Sequence, residues 1–210
     1  MGDHHGAHDG VKPGRESGYY AKRIRAIEAL LIEKNVLTKE EVRDQIGYME
    51  SRSPANGARL VARAWVDPHF KSLLLTDPKA AALELGIDAS GPVEFVVLEN
   101  TKDVHNLVVC TLCSCYPRAI LGRPPDWYKS FNYRQRAVYE PRAVMKEFGL
   151  ELDEGVEVVV HDSTADVRYM VLPMRPSGTE DLGEEELARL VTRDCLIGVA
   201  VPRFEAALTG

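Results

Sequence analysis

The chain has 210 residues, of which 45% are hydrophobic and 28% charged, so it is long enough to form a globular domain with an apolar core. Its net charge of −6, with lysine and arginine scattered along the chain, excludes the basic surface that nucleic-acid binding requires. No apolar run approaches the roughly 20 residues of a membrane span, and no secretory signal is recognisable, so we expect a cytoplasmic protein.

The N-terminal part of the chain has the pattern of helices. A polar tail over residues 1–17 is expected to be disordered. The spacing of Ile24, Ile27 and Leu30 then predicts an amphipathic helix, with one apolar face that could lie on a partner. We expect residues 18–88 to form a helical arm or subdomain.

Capping signals mark where the next helices begin. Thr38 is followed three residues later by Glu41, which predicts a capping box. The Asp-Pro pairs at 67–68 and 77–78 each predict a helix restart, because proline is well suited to the first helical position.

Strand patterns begin after residue 88 and alternate with further helices. This arrangement predicts an α+β fold in which residues 89–210 form the second domain. A short polar linker, "STAD", favours pairing of the third and fourth strands with each other. The predicted strands are "VEFVVLEN" (93–100), "HNLVVC" (105–110), "EGVEVVVHD" (154–162), "VRYMVLPM" (167–174) and a final "CLIGVAVP" (195–202).

Three of the four cysteines fall within six positions, in "CTLCSC" at residues 110–115. In a cytoplasmic protein such a cluster indicates metal or redox chemistry rather than disulfides. A zinc site would need Cys195 as a distant fourth ligand, and that residue lies in an apolar segment. A thioredoxin-like redox pair of cysteines would have to stand at the start of a helix. We expect Pro117, two residues after the last of these cysteines, to disfavour a helix there.

The tight spacing of Cys113 and Cys115 permits a different metal site. Three sulfurs, from these two residues and Cys110, could be joined by the backbone nitrogens of Ser114 and Cys115 to give five ligands. Removing protons from two amides requires a strong Lewis acid, trivalent cobalt or iron rather than zinc. The sixth position would stay open, which is the design of a catalytic site.

The segments "VCTLCSC", "LGRPPDWYKSFNYR", "RYMVLPMRPSGTE" and "LVTRDCLIGVAVP" resemble the α subunit of nitrile hydratase, and the likeness extends from Tyr19 to Pro202. The resemblance implies a helical arm followed by a layered α-β-β-α domain. It also implies a site in which Cys110, Cys113, Cys115 and the amides of Ser114 and Cys115 bind one metal ion. In this family a threonine after the first cysteine accompanies cobalt, so with Thr111 the resemblance implies Co(III), with Fe(III) as the less favoured ion.

The resemblance further implies oxidation of two ligands, with Cys113 as sulfinic acid and Cys115 as sulfenic acid. The reaction is then hydration of a small nitrile to an amide, with the Cys115 sulfenate attacking the nitrile or acting as a base towards water. The Ser114 hydroxyl could also contact the substrate. The expected partners are a β subunit, in a heterodimer or an α2β2 assembly, and a small accessory protein that inserts cobalt.

One departure from the family affects the substrate. Most nitrile hydratases read close to "CYPWPVLG" after the cysteines, whereas this chain reads "CYPRAILG", with Arg118 in the tryptophan position and Ala119 in a proline position. A guanidinium near the open site would favour a small anion. The metal-bearing γ subunit of thiocyanate hydrolase, a related enzyme, therefore supplies the alternative function, hydrolysis of SCN⁻ to carbonyl sulfide and ammonia. A non-catalytic zinc-binding interaction protein is a second alternative.

Four other residues are predicted to be structural. Trp127 and Tyr128 have the spacing of packing residues on a helix. His105 and His161 flank strands, where a hydrogen-bonded structural histidine is the more common finding.

Overall fold

A computed structural model describes residues 16–204, and this part of the chain has an α+β fold of eleven helices and four strands. The described residues fall into two compact units, one ending at Ser51 and the other beginning at Arg52. The elements are α1 (Glu16–Glu33), α2 (Lys39–Ser51), α3 (Pro54–Val66), α4 (Pro68–Thr76), α5 (Pro78–Glu84), β1 (Glu94–Glu99), β2 (Val104–Val109), α6 (Arg118–Leu121), α7 (Asp126–Lys129), α8 (Phe131–Tyr139), α9 (Pro141–Glu147), β3 (Glu157–Asp162), β4 (Val167–Leu172), α10 (Glu184–Leu190) and α11 (Arg193–Ile197).

The first unit contains α1 and α2. The apolar residues predicted to form one face of α1 are exposed, Ile24 by 64% and Ile27 by 56%. The predicted capping box of α2 is confirmed, because the Thr38 amide donates to Glu41 Oε2 at 2.7 Å and the Glu41 amide donates to Thr38 Oγ1 at 3.1 Å. Residues 1–15 of the predicted disordered tail lie outside the described residues, whereas Glu16 and Ser17 belong to α1.

The second unit begins with three helices that restart at prolines. The Asp67 carboxylate accepts hydrogen bonds from the amides of His69 at 2.9 Å and Phe70 at 3.1 Å, which confirms the predicted start of α4. Asp77 does the same for α5 through the amide of Ala80 at 3.1 Å. Each carboxylate satisfies backbone N–H groups that have no partner within the helix.

Two small parallel sheets follow, and helices cover them. Strand β1 pairs with β4, with Glu94 opposite Val167, and β2 pairs with β3, with Val104 opposite Glu157. Strand β2 contacts β4, helices α4, α5 and α11 contact the first sheet, and α8 and α9 contact the second. The order of layers is therefore α-β-β-α, as predicted. The limits 18–88 and 89–210 stay a prediction, and helices α3 to α5 share a compact unit with the strands.

The predicted pairing of the third and fourth strands is wrong. Strands β3 and β4 leave residues 163–166 for different sheets, and each pairs in parallel with an earlier strand. The linker contains neither Gly nor Asn, the residues that tight hairpin turns need for positive φ. Parallel pairing brings distant segments together, which local sequence patterns do not report.

The predicted final strand is also wrong, because residues 193–197 form helix α11. Thr192 caps its start by accepting a hydrogen bond from the Cys195 amide at 3.4 Å, and Gly198 ends it at φ 89°. The short apolar run suits either a strand or a buried helix, and the flanking capping residues favour the helix.

Buried polar groups tie β2 to the end of α11. His105, which is 3% exposed, lies with Nε2 at 2.7 Å from the Gly198 carbonyl oxygen and Nδ1 at 3.1 Å from Asn100 Nδ2. These partners fix a neutral imidazole that donates through Nε2 and accepts at Nδ1. His161 similarly contacts Asn106 Oδ1 at 2.8 Å, so both histidines have the structural contacts predicted for them. Among residues 16–204, every helix is too short or too polar to serve as a membrane span.

The buried His105 makes stability depend on pH. Burial lowers the pKa of this imidazole, and the charge of Arg142 acts in the same direction. A base with a lowered pKa stabilises the fold above its unfolded pKa of about 6.5, and that contribution is lost as the pH falls towards the lowered value. We expect the thermal midpoint of the full chain to fall from pH 8 to pH 5, and to fall less in a His105→Gln variant. The control is His69→Gln, which alters an exposed histidine; equal pH slopes in all three proteins would contradict this prediction.

Candidate metal centre

The cysteine loop, residues 110–115, connects strand β2 to the short helix α6. Cys110 directly follows the buried end of β2 and is 1% exposed, whereas Cys113 is exposed. Helix α6 begins directly after Pro117, contrary to the expectation that this proline disfavours an immediate helix. The reason is that proline at a helix N-terminus lacks only an N–H that would have no partner within the helix.

The three cysteine side chains of the loop converge on one point. Sγ of Cys113 lies 3.5 Å from Sγ of Cys110 and 3.2 Å from Sγ of Cys115. All three sulfurs lie within 4.8 Å of one another, and each cysteine is free of disulfide bonds. Within the described residues, no other group of three or more His, Cys, Asp or Glu side chains could hold a metal ion.

The sulfurs differ in how readily they ionise. Hydrogen bonds from Cys115, Cys110 and the Ser114 amide lower the pKa of Cys113 to about 7. Burial raises the pKa of Cys115 to about 12, with the neighbouring thiols acting in the same direction and the charge of Arg168 opposing them. Cys113 is thus the thiol of this pair that ionises first, and the thiolate is the form that binds metals.

Side chains from other elements hold the cysteine loop. Asp162, at the end of β3, accepts hydrogen bonds from the Thr111 amide at 2.9 Å and from Thr111 Oγ1 at 2.6 Å. Arg134 Nη1 donates to the Thr111 carbonyl oxygen at 3.3 Å. Tyr128 Oη donates to the Cys115 carbonyl oxygen at 2.8 Å, and Tyr133 Oη donates to that of Val108 at 2.7 Å.

Asp162 is expected to support metal binding at the loop. Replacing it by alanine removes both hydrogen bonds to Thr111, so the first turn of the loop loses its anchor. We expect Asp162→Ala to weaken Co²⁺ binding by about 10-fold, because outer-sphere partners of metal ligands contribute on that scale. Absorption titration of the reduced full chain measures this effect. Asp166→Ala, which removes an exposed carboxylate on the following turn, is the control; equal binding by both variants would assign Asp162 no such role.

A cavity of about 260 Å³ adjoins the C-terminal end of the cysteine loop. Arg118 lines it from α6, Arg168 from β4, and Glu94 from β1. Arg118 is exposed, so its guanidinium is available to a ligand. Arg168 has backbone partners, the carbonyl oxygens of Thr164 and Val167. The cavity therefore carries two positive charges and one negative charge.

The donor set fits a metal that prefers sulfur. Three thiols within reach of one ion suit a soft or borderline cation, and the amides of Ser114 and Cys115 lie in the same loop. Cys195 does not join the group; its thiol contacts Thr192 Oγ1 at 3.2 Å within the α11 region. A zinc site built from all four cysteines is therefore not formed by the described residues.

The structure brings together the three cysteines that the sequence singled out, with Ser114 between two of them and Arg118 on the adjoining cavity. Sequence reasoning missed the residues that hold the loop: Arg134, Tyr133 and Asp162. It assigned Tyr128 only to packing. Asp162 gave one usable signal, since it is the acidic residue that ends a predicted strand.

Comparison with known proteins gives consistent matches. The family model described as "Nitrile hydratase, alpha chain" matches residues 18–200. The low-molecular weight cobalt-containing nitrile hydratase subunit alpha of Rhodococcus rhodochrous is 52% identical over 189 residues, covering 90% of this chain and 91% of that protein. Thiocyanate hydrolase subunit gamma of Thiobacillus thioparus is 46% identical, covering 85% and 78%.

Solved structures agree with these sequence matches. A double mutant of the Fe-type nitrile hydratase from Comamonas testosteroni Ni1 superimposes with a TM-score of 0.80 at 45% identity, covering 92% of this chain and 98% of the other. Similar proteins therefore include cobalt-containing and Fe-type members, so similarity alone leaves the metal of this chain undecided.

Proposed function

The chain belongs to the nitrile hydratase α-chain family, and from this premise we propose that it is the metal-bearing subunit of a nitrile hydratase, which is a lyase. The observation that carries the proposal is the convergence of three free cysteine sulfurs within 4.8 Å on one short loop. The reaction adds water to a small nitrile, R–C≡N + H₂O giving R–C(O)NH₂. No other product forms, so atoms balance without a further reactant.

The proposed cofactor is one Co(III) ion per chain, held by the thiolates of Cys110, Cys113 and Cys115 and by the backbone nitrogens of Ser114 and Cys115. Thr111 and the similarity to cobalt-containing relatives support cobalt over Fe(III). When bound, the ion supplies Lewis acidity beside the substrate. The buried Cys110 and the anchored Thr111 fix the loop on which these ligands lie.

The proposed catalytic groups, Cys115 and Ser114, are half-buried members of the loop. We assign Cys113 as a sulfinic acid and Cys115 as a sulfenic acid, whose oxygen would attack the nitrile carbon or take a proton from water. Ser114, which is half-buried between them, would orient the substrate through its hydroxyl. Mass spectrometry of the peptide containing residues 110–115 tests the assignment, because three added oxygens are expected.

The exposed loop requires a partner to enclose the substrate. Leu112, at the centre of the loop, is 86% exposed, and an apolar side chain beside a reacting group is normally covered. We propose that a β subunit covers this surface, in a heterodimer or α2β2 assembly, and that a small accessory protein delivers the metal. We also propose a cytoplasmic location.

Activity and metal content together test the proposal. The chain co-produced with its β subunit in cobalt-supplemented medium is expected to hydrate acrylonitrile and to contain about one cobalt per chain, the stoichiometry of a single three-cysteine site. The separated chain is expected to be nearly inactive. Stoichiometric zinc with unmodified thiols would instead support the non-catalytic alternative.

Arg118 favours a second candidate function, thiocyanate hydrolysis. The exposed guanidinium lines the cavity beside the cysteine loop, where it could bind a small anion. The similarity to a thiocyanate hydrolase γ subunit is consistent with this candidate. Parallel assays on acrylonitrile and thiocyanate distinguish the two, since release of carbonyl sulfide and ammonia without amide formation would select the second.

A further inference from the structure

We propose that Tyr128 and Tyr133 are positioning residues that hold the two ends of the cysteine loop in the conformation that binds the metal. This inference rests on the proposed metal site, and it assigns a role to two side chains that sequence analysis attributed to packing or left unassigned. Neither side chain is placed among the ligands. Both act through backbone carbonyl groups.

The cysteine loop has little to hold it from within. Among the backbone hydrogen bonds of the described residues outside helices and strands, none joins two members of residues 110–115. The internal contacts from the backbone all end on cysteine sulfurs: the Cys113 amide lies 3.3 Å from Cys110 Sγ, and the amides of Ser114 and Cys115 contact the Cys113 thiol. The conformation of the loop without metal therefore depends on groups outside it.

Tyr133 fixes the entry to the loop. Its hydroxyl donates at 2.7 Å to the carbonyl oxygen of Val108, in strand β2 two residues before Cys110. The residue is 5% exposed, and the ring of Trp127 packs against it with ring centres 4.8 Å apart. A buried hydroxyl on an immobile ring gives a well-defined donor position.

Tyr128 fixes the exit from the loop. Its hydroxyl donates at 2.8 Å to the carbonyl oxygen of Cys115, the last cysteine of the cluster. Tyr128 is fully buried, and its ring lies 5.6 Å from that of Tyr133, measured between ring centres. The two donors that reach the two ends of the loop therefore come from adjacent rings.

Both tyrosines belong to one rigid segment. Ser130 separates helices α7 and α8, and its Oγ accepts a hydrogen bond from the Tyr133 amide at 3.1 Å and donates to the Trp127 carbonyl oxygen at 2.7 Å. Because this cap fixes α7 relative to α8, the spacing of the two hydroxyls is fixed as well. The segment thus sets the distance between the entry and exit of the loop before any ion arrives.

A loop that is already ordered binds a metal ion more tightly, because binding then carries no entropic cost of ordering the loop. Removing the Tyr133 hydroxyl leaves the carbonyl of the buried Val108 without this donor, although Val108 stays in strand β2. Removing the Tyr128 hydroxyl takes the donor from the carbonyl of the half-buried Cys115 and frees the exit of the loop. Loss of an outer-sphere partner typically lowers metal affinity by about 10- to 100-fold. We expect an effect in this range from Tyr128→Phe, whose partner is a cysteine of the cluster, and a smaller one from Tyr133→Phe.

Tyr116 provides a matched control. It lies in the same aromatic cluster, with its ring centre 5.1 Å from that of Tyr128, and is 3% exposed. Its hydroxyl is buried and makes no hydrogen bond to the described part of the protein. Tyr116→Phe therefore removes a buried hydroxyl from the cluster without removing a tether of the cysteine loop.

The experiment titrates the reduced, metal-free full chain with CoCl₂ and follows thiolate-to-cobalt charge-transfer absorption. Thermal unfolding of each metal-free variant is measured alongside. We expect Tyr128→Phe to raise the Kd for Co²⁺ by about 10-fold or more and to alter the absorption bands, while Tyr116→Phe binds like wild type. The band change separates a positioning role from general destabilisation, which would lower the unfolding midpoint and leave the bands of the bound form unchanged.

Each of three results would contradict a different part of the proposal. If wild type, Tyr128→Phe and Tyr133→Phe give the same Kd and spectrum, the positioning role is wrong while the metal site stands. If Tyr116→Phe weakens binding as much as Tyr128→Phe, the effect belongs to packing of the cluster and the tethers are not its cause. If the wild-type chain gives no thiolate-to-cobalt absorption, the proposed metal site itself fails. Should Tyr128→Phe prove unfolded without metal, Tyr133→Phe decides the question by the same two measurements.

Discussion

Replacing Cys115 by alanine is expected to abolish activity of the assembled enzyme and to remove most of its metal. The substitution deletes one of the three sulfurs that lie within 4.8 Å of one another, together with the proposed sulfenate. We expect metal binding to weaken by more than the 10- to 100-fold that an outer-sphere partner contributes. Turnover of acrylonitrile should fall by at least about 10³-fold, as when enzymes lose a group that acts on the reacting atoms.

Cys195→Ala is the control for that experiment. Cys195 is a 2% exposed cysteine of α11 that stands outside the cluster. Its replacement should leave metal content near wild type and lower the free energy of unfolding by about 1 kcal/mol, the scale of a small buried truncation. Elemental analysis and initial rates are the measurements. Full activity of Cys115→Ala, or equal loss in both variants, would show that the cluster has no special part in catalysis.

Arg118→Trp is expected to change which substrate the site prefers. The guanidinium lines the cavity beside the cysteine loop and is exposed, so it can form a charge-assisted hydrogen bond to an anion. Such a bond contributes about 1.5–3 kcal/mol, which corresponds to roughly 10- to 150-fold in kcat/KM. We therefore expect the ratio of kcat/KM for acrylonitrile to that for thiocyanate to rise by at least about 10-fold.

Arg123→Trp controls for placing an indole near α6. Arg123 is an exposed arginine five positions later in the chain and does not line the cavity. Its replacement should leave the substrate ratio within about twofold of wild type, since surface substitutions away from a site have small effects. If Arg118→Trp also leaves the ratio of kcat/KM values unchanged, the Arg118 side chain does not contact the substrate. Arg118 would then give no support to thiocyanate as the substrate.

The starts of several helices and the grouping of the three cysteines could be predicted from sequence, because their signals are local. The capping pair Thr38 and Glu41, and the Asp-Pro pairs at 67–68 and 77–78, act within one turn of chain. The cysteine cluster is likewise a feature of six consecutive residues. The spacing of these three cysteines was therefore enough to predict a metal site without knowledge of the fold.

The features that sequence reasoning missed depend on contacts between distant segments. The pairing of β2 with β3, and of β1 with β4, joins strands that are separated by helices or by other strands. The helix over residues 193–197 resembled a strand because a short β-branched run suits both, and its identity was decided by Thr192 and Gly198. The hydroxyls of Tyr128 and Tyr133 reach the cysteine loop only in the folded chain.

The separation of these contacts along the chain sets an order of events during synthesis. The ribosome releases Cys110 to Cys115 well before Asp162, which stands 51 positions after Thr111, and before Gly198, which stands 93 positions after His105. A nascent chain thus exposes three thiols before strand β3 and helix α11 have been made. An ion captured at that stage would meet an unformed loop and the oxidants of the cell. We therefore expect insertion of the proposed metal to follow the end of translation, when the segments that hold the loop are all available.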